Sequence, residues 1–131
     1  MKKILGILGS LVLLIGVTTS SVSASATCDG KFGVRLYDGK NYTGFGLLIC
    51  SGGAVGPNIP SLNAPYNFND RAESIRFYNA ANTQIRFYEH VQYGGKYITT
   101  TNGGDLPDLS VYWPGAFFDG FANQISSLKR L

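Results

Sequence analysis

The sequence predicts an all-β domain, a sandwich of eight short strands that is duplicated internally. Three observations lead there. All 17 aromatic residues and 14 of the 17 glycines follow residue 26, in short apolar runs punctuated by Gly, Asn, Asp and Pro and nearly free of helix signatures. Apolar and polar residues alternate in Val34–Tyr37, Ser74–Tyr78 and Gln84–Tyr88, which gives each run one core face and one outer face. A hairpin-like pattern and a polar loop pattern each occur twice, in the same order, as in a repeated unit.

The first segment of the 131-residue chain stands apart from this domain. Lys2 and Lys3 precede an apolar run from Ile4 to Val17, followed by a Ser/Thr/Ala stretch that ends in Ala24-Ser25-Ala26. This is the pattern of a secretory signal peptide over residues 1–26, with an A-x-A cleavage site. The apolar run has 14 residues, fewer than the roughly 20 that span a bilayer, so no transmembrane segment is expected. Ser25-Ala26-Thr27 lacks the leading Leu of lipoprotein processing, which argues against an anchor at Cys28.

Cleavage leaves one domain, 27–131, and lowers the formal charge from +3 to +1, nine basic residues against eight acidic ones. So small a charge excludes nucleic acid as an expected partner and gives no support for an anionic membrane surface. Export also places Cys28 and Cys50 where a disulfide forms and persists. With no C-x-x-C present, a structural staple is expected. Closing a loop of this size stabilises by about 3 kcal/mol in the chain-entropy account.

Along the domain, Val34–Tyr37 and Gly46–Cys50 read as the first strands, and a less regular one is expected near Ala64–Phe68. Ser74–Tyr78 and Gln84–Tyr88 follow, joined by a turn at Asn79-Ala80-Ala81-Asn82. Ile75, Phe77, Ile85 and Phe87 are expected to point inward, with Arg76 and Arg86 outward and their stems lying along the sheet. Lys96–Thr101, a less regular run at Leu109–Trp113, and Gln124–Leu131 complete the eight.

Tyr37-Asp38-Gly39-Lys40-Asn41-Tyr42-Thr43-Gly44 has the pattern aromatic-x4-aromatic-x-Gly, and Tyr88 to Gly95 repeats it through Tyr93, displaced by 51 residues. Gly44 and Gly95 supply the positive φ of a hairpin folded over its own sheet. The loop Asn69-Asp70-Arg71-Ala72-Glu73-Ser74 returns as Ala122-Asn123-Gln124-Ile125-Ser126-Ser127, displaced by 53. On these residues the chain resembles the βγ-crystallin superfamily, whose paired Greek keys carry such a hairpin and an (Asn/Asp)-(Asn/Asp)-x-x-(Ser/Thr)-Ser loop. The resemblance implies two Greek keys, at about 32–79 and about 83–131. Tyr37 and Tyr88 then cover the folded hairpins, and the hydroxyls of Ser74 and Ser127 satisfy their backbone groups.

The resemblance also implies Ca²⁺ as a ligand, held by oxygen atoms of carboxylates, carbonyls and hydroxyls. Carried over residue by residue, one site combines Asp70 with the Gln124 carbonyl and Ser126. The other combines Asn123 with the Arg71 carbonyl and Glu73. A main-chain carbonyl from each hairpin, at Asp38 and Glu89, joins them. Glu73 stands where the family prefers Ser or Thr, and Ala122 where it prefers Asn or Asp. Glu73 keeps an oxygen ligand on a longer side chain, so the Asp70 site is the better formed of the two. The expected function is a secreted, monomeric, non-enzymatic extracellular binding or structural module.

The alternative is a metallopeptidase inhibitor. Phe68-Asn69-Asp70-Arg71-Ala72-Glu73-Ser74 also resembles a segment of secreted bacterial inhibitors of this superfamily, and the candidate loops are Ser51 to Pro65 and Thr101 to Ala122. An extracellular protease is one candidate partner. A cell-envelope component is the other, through Tyr112, Trp113, Phe117, Phe118 and Phe121, although core closure explains most of these aromatics.

Enzymatic readings find little footing. His90 is the single histidine, no G-x-S-x-G elbow occurs, and Asp105, Asp108 and Asp119 sit in turn-like Gly/Pro settings. No Gly-rich phosphate loop leads into a helix.

Overall fold

The computed structural model describes residues 28–51, 58–80, 82–100, 104–112 and 120–131. The signal peptide expected over 1–26 lies outside them, as do Trp113, Phe117, Phe118 and Asp119. Two antiparallel sheets face each other. The strands are β1 (Gly33–Gly39), β2 (Thr43–Cys50), β3 (Asn58–Ile59), β4 (Ser74–Tyr78), β5 (Ile85–His90), β6 (Gly94–Thr100) and β7 (Ser127–Arg130). One sheet has the order β2-β1-β4 and the other β3-β7-β5-β6.

The chain is all-β with two Greek keys, and each key lends its third strand to its neighbour. β3 comes from the first half yet pairs with β7, Ile59 opposite Leu128. Leu106 of the second half forms an isolated bridge to Ile75 on β4. The eighth strand of the expected sandwich is therefore this single bridge, giving seven strands and one bridged residue among the described residues.

Two expected strands are not where the sequence reading put them. Ala64–Phe68 is a succession of turns, with Asn67 at φ 50, and the first half's third strand lies earlier, at Asn58–Ile59. Leu109–Val111 is one 3₁₀ turn capped by Asp108, whose side chain accepts from Ser110 N, and the pairing residue is Leu106. The cause is common to both: the pairings are one or two residues long and end at Pro60 and Pro107, which have no N–H to continue a ladder. The Asn79–Asn82 connection also carries the chain from one sheet to the other, because β4 and β5 belong to different sheets.

Alternation fixes the core. Val34, Leu36, Ile75, Ile85, Phe87 and Leu128 are fully buried, joined by Leu62, Phe68, Leu109, Phe121 and Ile125 from the connections. Phe77 is only partly buried, against the edge of this cluster. Arg76 and Arg86 do lie along the outer faces, their guanidinium groups 4.0 Å from the Tyr42 ring centre and 4.1 Å from that of Tyr97. A disulfide joins Cys28 to Cys50, at the end of β2.

The hairpins fold back through Lys40–Tyr42 and Val91–Tyr93, whose last two residues are left-handed, with φ of 53 at Asn41 and 62 at Tyr42, and of 55 at Gln92 and 60 at Tyr93. Ser74 Oγ accepts from Tyr42 N at 2.9 Å and donates to the Gly39 carbonyl at 2.6 Å. Ser127 repeats this, accepting from Tyr93 N at 3.1 Å and donating to the His90 carbonyl at 2.6 Å. Gly44 and Gly95 adopt φ of 77 and 75, and a Cβ on Gly44 would collide with Asp38 Oδ1. Asn41 N and Gln92 N donate across the sandwich to the carbonyls of Pro107 and Pro60, so the borrowed strands also hold the hairpin tips.

Tyr37 packs against Tyr42 with ring centres 5.9 Å apart, and Tyr88 against Tyr93 at 5.6 Å. Burial above all, then the neighbouring Tyr78 phenol, raises the Tyr37 hydroxyl. Burial first also raises Tyr42 and Tyr93, followed by the charge of Asp105 and of ionised Tyr88 respectively. The folded state thus favours the neutral phenols. Their contribution is complete below about pH 10, the unfolded value, and is lost as pH rises through the raised folded values. An absorbance titration at alkaline pH is expected to show these tyrosines ionising late, together with unfolding. Ordinary ionisation of every tyrosine without unfolding contradicts this.

Candidate cation site between the paired loops

The loops Asn69–Ser74 and Ala122–Ser127 lie side by side, related by the internal two-fold repeat. Ala72 and Ile125 are fully buried and anchor their centres. Asp70 N donates to the Ile125 carbonyl at 3.0 Å, and Asn123 N to the Ala72 carbonyl at 2.8 Å. Asp70 and Asn123 turn the chain at φ 53 and 57, a left-handed conformation that Asp and Asn tolerate better than most residues. Glu73 N and Ser126 N are tied to the carbonyls of Tyr37 and Tyr88, which fixes each loop to a hairpin strand.

These constraints bring the second side chain of one loop to the fifth of the other. Ser126 Oγ donates to Asp70 Oδ1 at 2.9 Å, and Asn123 Nδ2 donates to Glu73 Oε1 at 3.2 Å. Asp70, Glu89, His90, Asn123 and Gln124 line an open pocket of about 240 Å³. Among the described residues, no three His, Cys, Asp or Glu side chains cluster closely enough to hold a metal by themselves. Hydroxyl and carbonyl oxygens must therefore supply part of any shell here.

The two halves diverge at the third loop position. Gln124 lines the pocket, but the equivalent Arg71 sends its guanidinium to Asp38, Nη2 donating to Oδ2 at 2.7 Å. The same group donates to the Asn67 carbonyl at 3.0 Å and packs 5.1 Å from the Phe68 ring centre. Asp38 Oδ1 accepts from Phe45 N at 2.7 Å, matching the Glu89 Oε2 that accepts from Lys96 N at 3.2 Å. Both hairpin carboxylates thus lock their own hairpins, but only Asp38 is neutralised by an arginine. The sequence reading used Arg71 for its carbonyl and missed its side chain. The signal was a cation in the third position of one loop and a neutral amide in the other. His90, the single histidine, is exposed and forms one wall of the pocket.

No protein-family model matches the chain, and no curated protein matches it by sequence. Solved structures do. A βγ-crystallin from an archaeon is 26% identical, covering 77% of this chain and 99% of its own, with a TM-score of 0.56. A βγ-crystallin from Ciona intestinalis is 19% identical over 76% of this chain and 99% of its own, TM-score 0.56. A βγ-crystallin domain from Clostridium beijerinckii is 23% identical over 75% and 95%, TM-score 0.54. These likenesses define the fold class, a double Greek-key sandwich. With the repeated hairpin and loop motifs in it, the chain is a member of the βγ-crystallin superfamily.

Proposed function

We propose that the protein is a secreted, non-enzymatic βγ-crystallin-like module that binds one calcium ion between its paired loops. The ligands are the Asp70 carboxylate, the Ser126 hydroxyl and the main-chain carbonyls of Gln124 and Glu89, with water completing the shell. These are the hard oxygen donors that Ca²⁺ takes. The observation that carries the reading is the meeting of Asp70 and Ser126 across the loop pair, beside an open pocket. The second arrangement, Asn123, Glu73 and the carbonyls of Arg71 and Asp38, fits a cation poorly, because the Arg71 guanidinium lies against Asp38 and repels a second positive charge.

Export follows from the signal-peptide pattern and agrees with the disulfide. No described helix is long and apolar enough to cross a membrane. The inhibitor alternative rests on loops whose residues 52–57, 101–103 and 113–119 lie outside the described residues.

Isothermal titration tests the site. Calcium is expected to bind with an affinity in roughly the micromolar-to-millimolar range of extracellular modules. Asp70→Asn, which keeps a residue suited to positive φ but removes the charge, is expected to weaken binding at least about tenfold. Glu73→Gln is expected to leave it nearly unchanged. Absence of binding, or equal binding by Asp70→Asn, contradicts the proposal.

A further inference from the structure

The two sheets have equivalent outer faces that differ in charge compensation. On β2-β1-β4, Arg35 lies opposite Arg76 in register. Asp105, beside the Leu106 bridge, sits 3.4 Å from Arg76 and accepts from Phe77 N at 2.8 Å. On β3-β7-β5-β6 the counterparts are Arg86 opposite Lys129. The position corresponding to Asp105 is Asn58, which faces Lys129 in register and accepts from Arg130 N at 3.2 Å. The same backbone role is thus filled by an acid on one face and by a neutral amide on the other.

Among the described residues, neither Arg86 nor Lys129 has a carboxylate within ion-pair distance. Two like charges opposite each other on neighbouring strands repel, and nothing described on this face offsets them. Their surroundings are aromatic and hydroxylic. Lys129 Nζ lies 5.6 Å from the Tyr93 ring centre, Arg86 stacks on Tyr97, and Arg86 Nε donates to Thr99 Oγ1 at 3.2 Å. Tyr97 is 45% exposed, whereas Gly46, its counterpart on the other sheet, offers no ring at all.

We propose that this outer face of β3-β7-β5-β6 binds an acidic polysaccharide, with Arg86 and Lys129 pairing its carboxylates and Tyr97 stacking on a sugar ring. A guanidinium pairs well with carboxylate, and an exposed tyrosine offers an apolar plane with a polar tip. A nucleic acid requires more cations along its backbone than this row supplies. A lipid surface requires apolar side chains to insert, and Asn58, Lys129, Arg86 and Thr99 supply none. The proposal is independent of calcium, since the loop pair involves other residues.

The test is binding to polygalacturonate, with neutral dextran as control, with and without a calcium chelator. Expected are weak binding to polygalacturonate alone, loss at high salt, and persistence in Asp70→Asn. Asn58→Asp copies the other sheet's compensation while keeping the acceptor for Arg130 N, and it is expected to weaken binding about threefold to tenfold, as is Lys129→Gln. Arg76→Gln, on the other sheet, is expected to have no effect. The proposal is overturned if Asn58→Asp and Lys129→Gln bind as the parent does, if Arg76→Gln is equally impaired, or if dextran binds as well. It is also overturned if single-stranded DNA or phosphatidylglycerol vesicles bind more tightly than polygalacturonate.

Discussion

Replacing Phe68 by Ala is expected to cost about 3–5 kcal/mol, the usual range for deleting a fully buried phenylalanine. The ring has no solvent exposure and sits where the first connection enters the loop, Phe68 N donating to the Leu62 carbonyl at 2.8 Å. Beyond the cavity, its loss removes the surface on which Arg71 rests 5.1 Å away, and so loosens the arginine that holds Asp38. For a domain of this size the melting temperature is expected to fall by roughly 15–25 °C, read by thermal unfolding with circular dichroism. Phe121 occupies the equivalent place in the second half, equally buried and donating to the Leu109 carbonyl, and Phe121→Ala is expected to cost a similar amount. Phe45, 58% exposed, is the control, with Phe45→Ala expected to cost less than about 1 kcal/mol. A Phe68→Ala variant as stable as the Phe45→Ala variant contradicts the placement of this core.

Removing the disulfide is the second large effect. Cys28 and Cys50 are 22 residues apart in sequence, so the bond ties the segment before β1 to the end of β2 and limits the unfolded chain. Cys28 is 4% exposed, so truncating it also leaves a small void, whereas Cys50 is exposed. The double variant Cys28→Ala/Cys50→Ala is expected to lose about 3 kcal/mol while keeping its fold. Urea unfolding of the oxidised protein, the reduced protein and the double variant measures this. Equal midpoints for all three contradict it.

Much of this architecture was legible in the sequence because its signals are local. A tyrosine, a second aromatic and a glycine within eight residues specify each folded hairpin, and the serine that closes it follows a loop of fixed length. The borrowed third strands were less legible, since a one- or two-residue pairing leaves no alternation to detect. Their trace is a repeat of another kind: Asn58-Ile59-Pro60-Ser61-Leu62 parallels Asp105-Leu106-Pro107-Asp108-Leu109. In each, an apolar residue pairs across the sandwich, a proline ends the pairing, and a fully buried leucine returns to the core.

The loop pair was legible as a set of oxygen donors but not as a charge balance. Only the folded chain brings Arg71 to Asp38, 33 positions away, while leaving Gln124 at the corresponding place beside Asp70 and Glu89. The same holds for Asn58 and Asp105: the parallel motifs align them, but only the folded chain shows each accepting a backbone N–H from its host sheet, one as a neutral amide and the other as a carboxylate beside Arg76.

The most direct test of the central proposal is the melting temperature of the protein with excess calcium and with chelator, for the parent and for Asp70→Asn. An ion that binds only the folded state at a hundred times its dissociation constant adds about 2.7 kcal/mol, expected to raise the parent's melting temperature by roughly 10 °C. The Asp70→Asn variant is expected to show little or no rise. A parent protein that melts at the same temperature in calcium and in chelator, or an equal rise in the variant, contradicts calcium binding at this site.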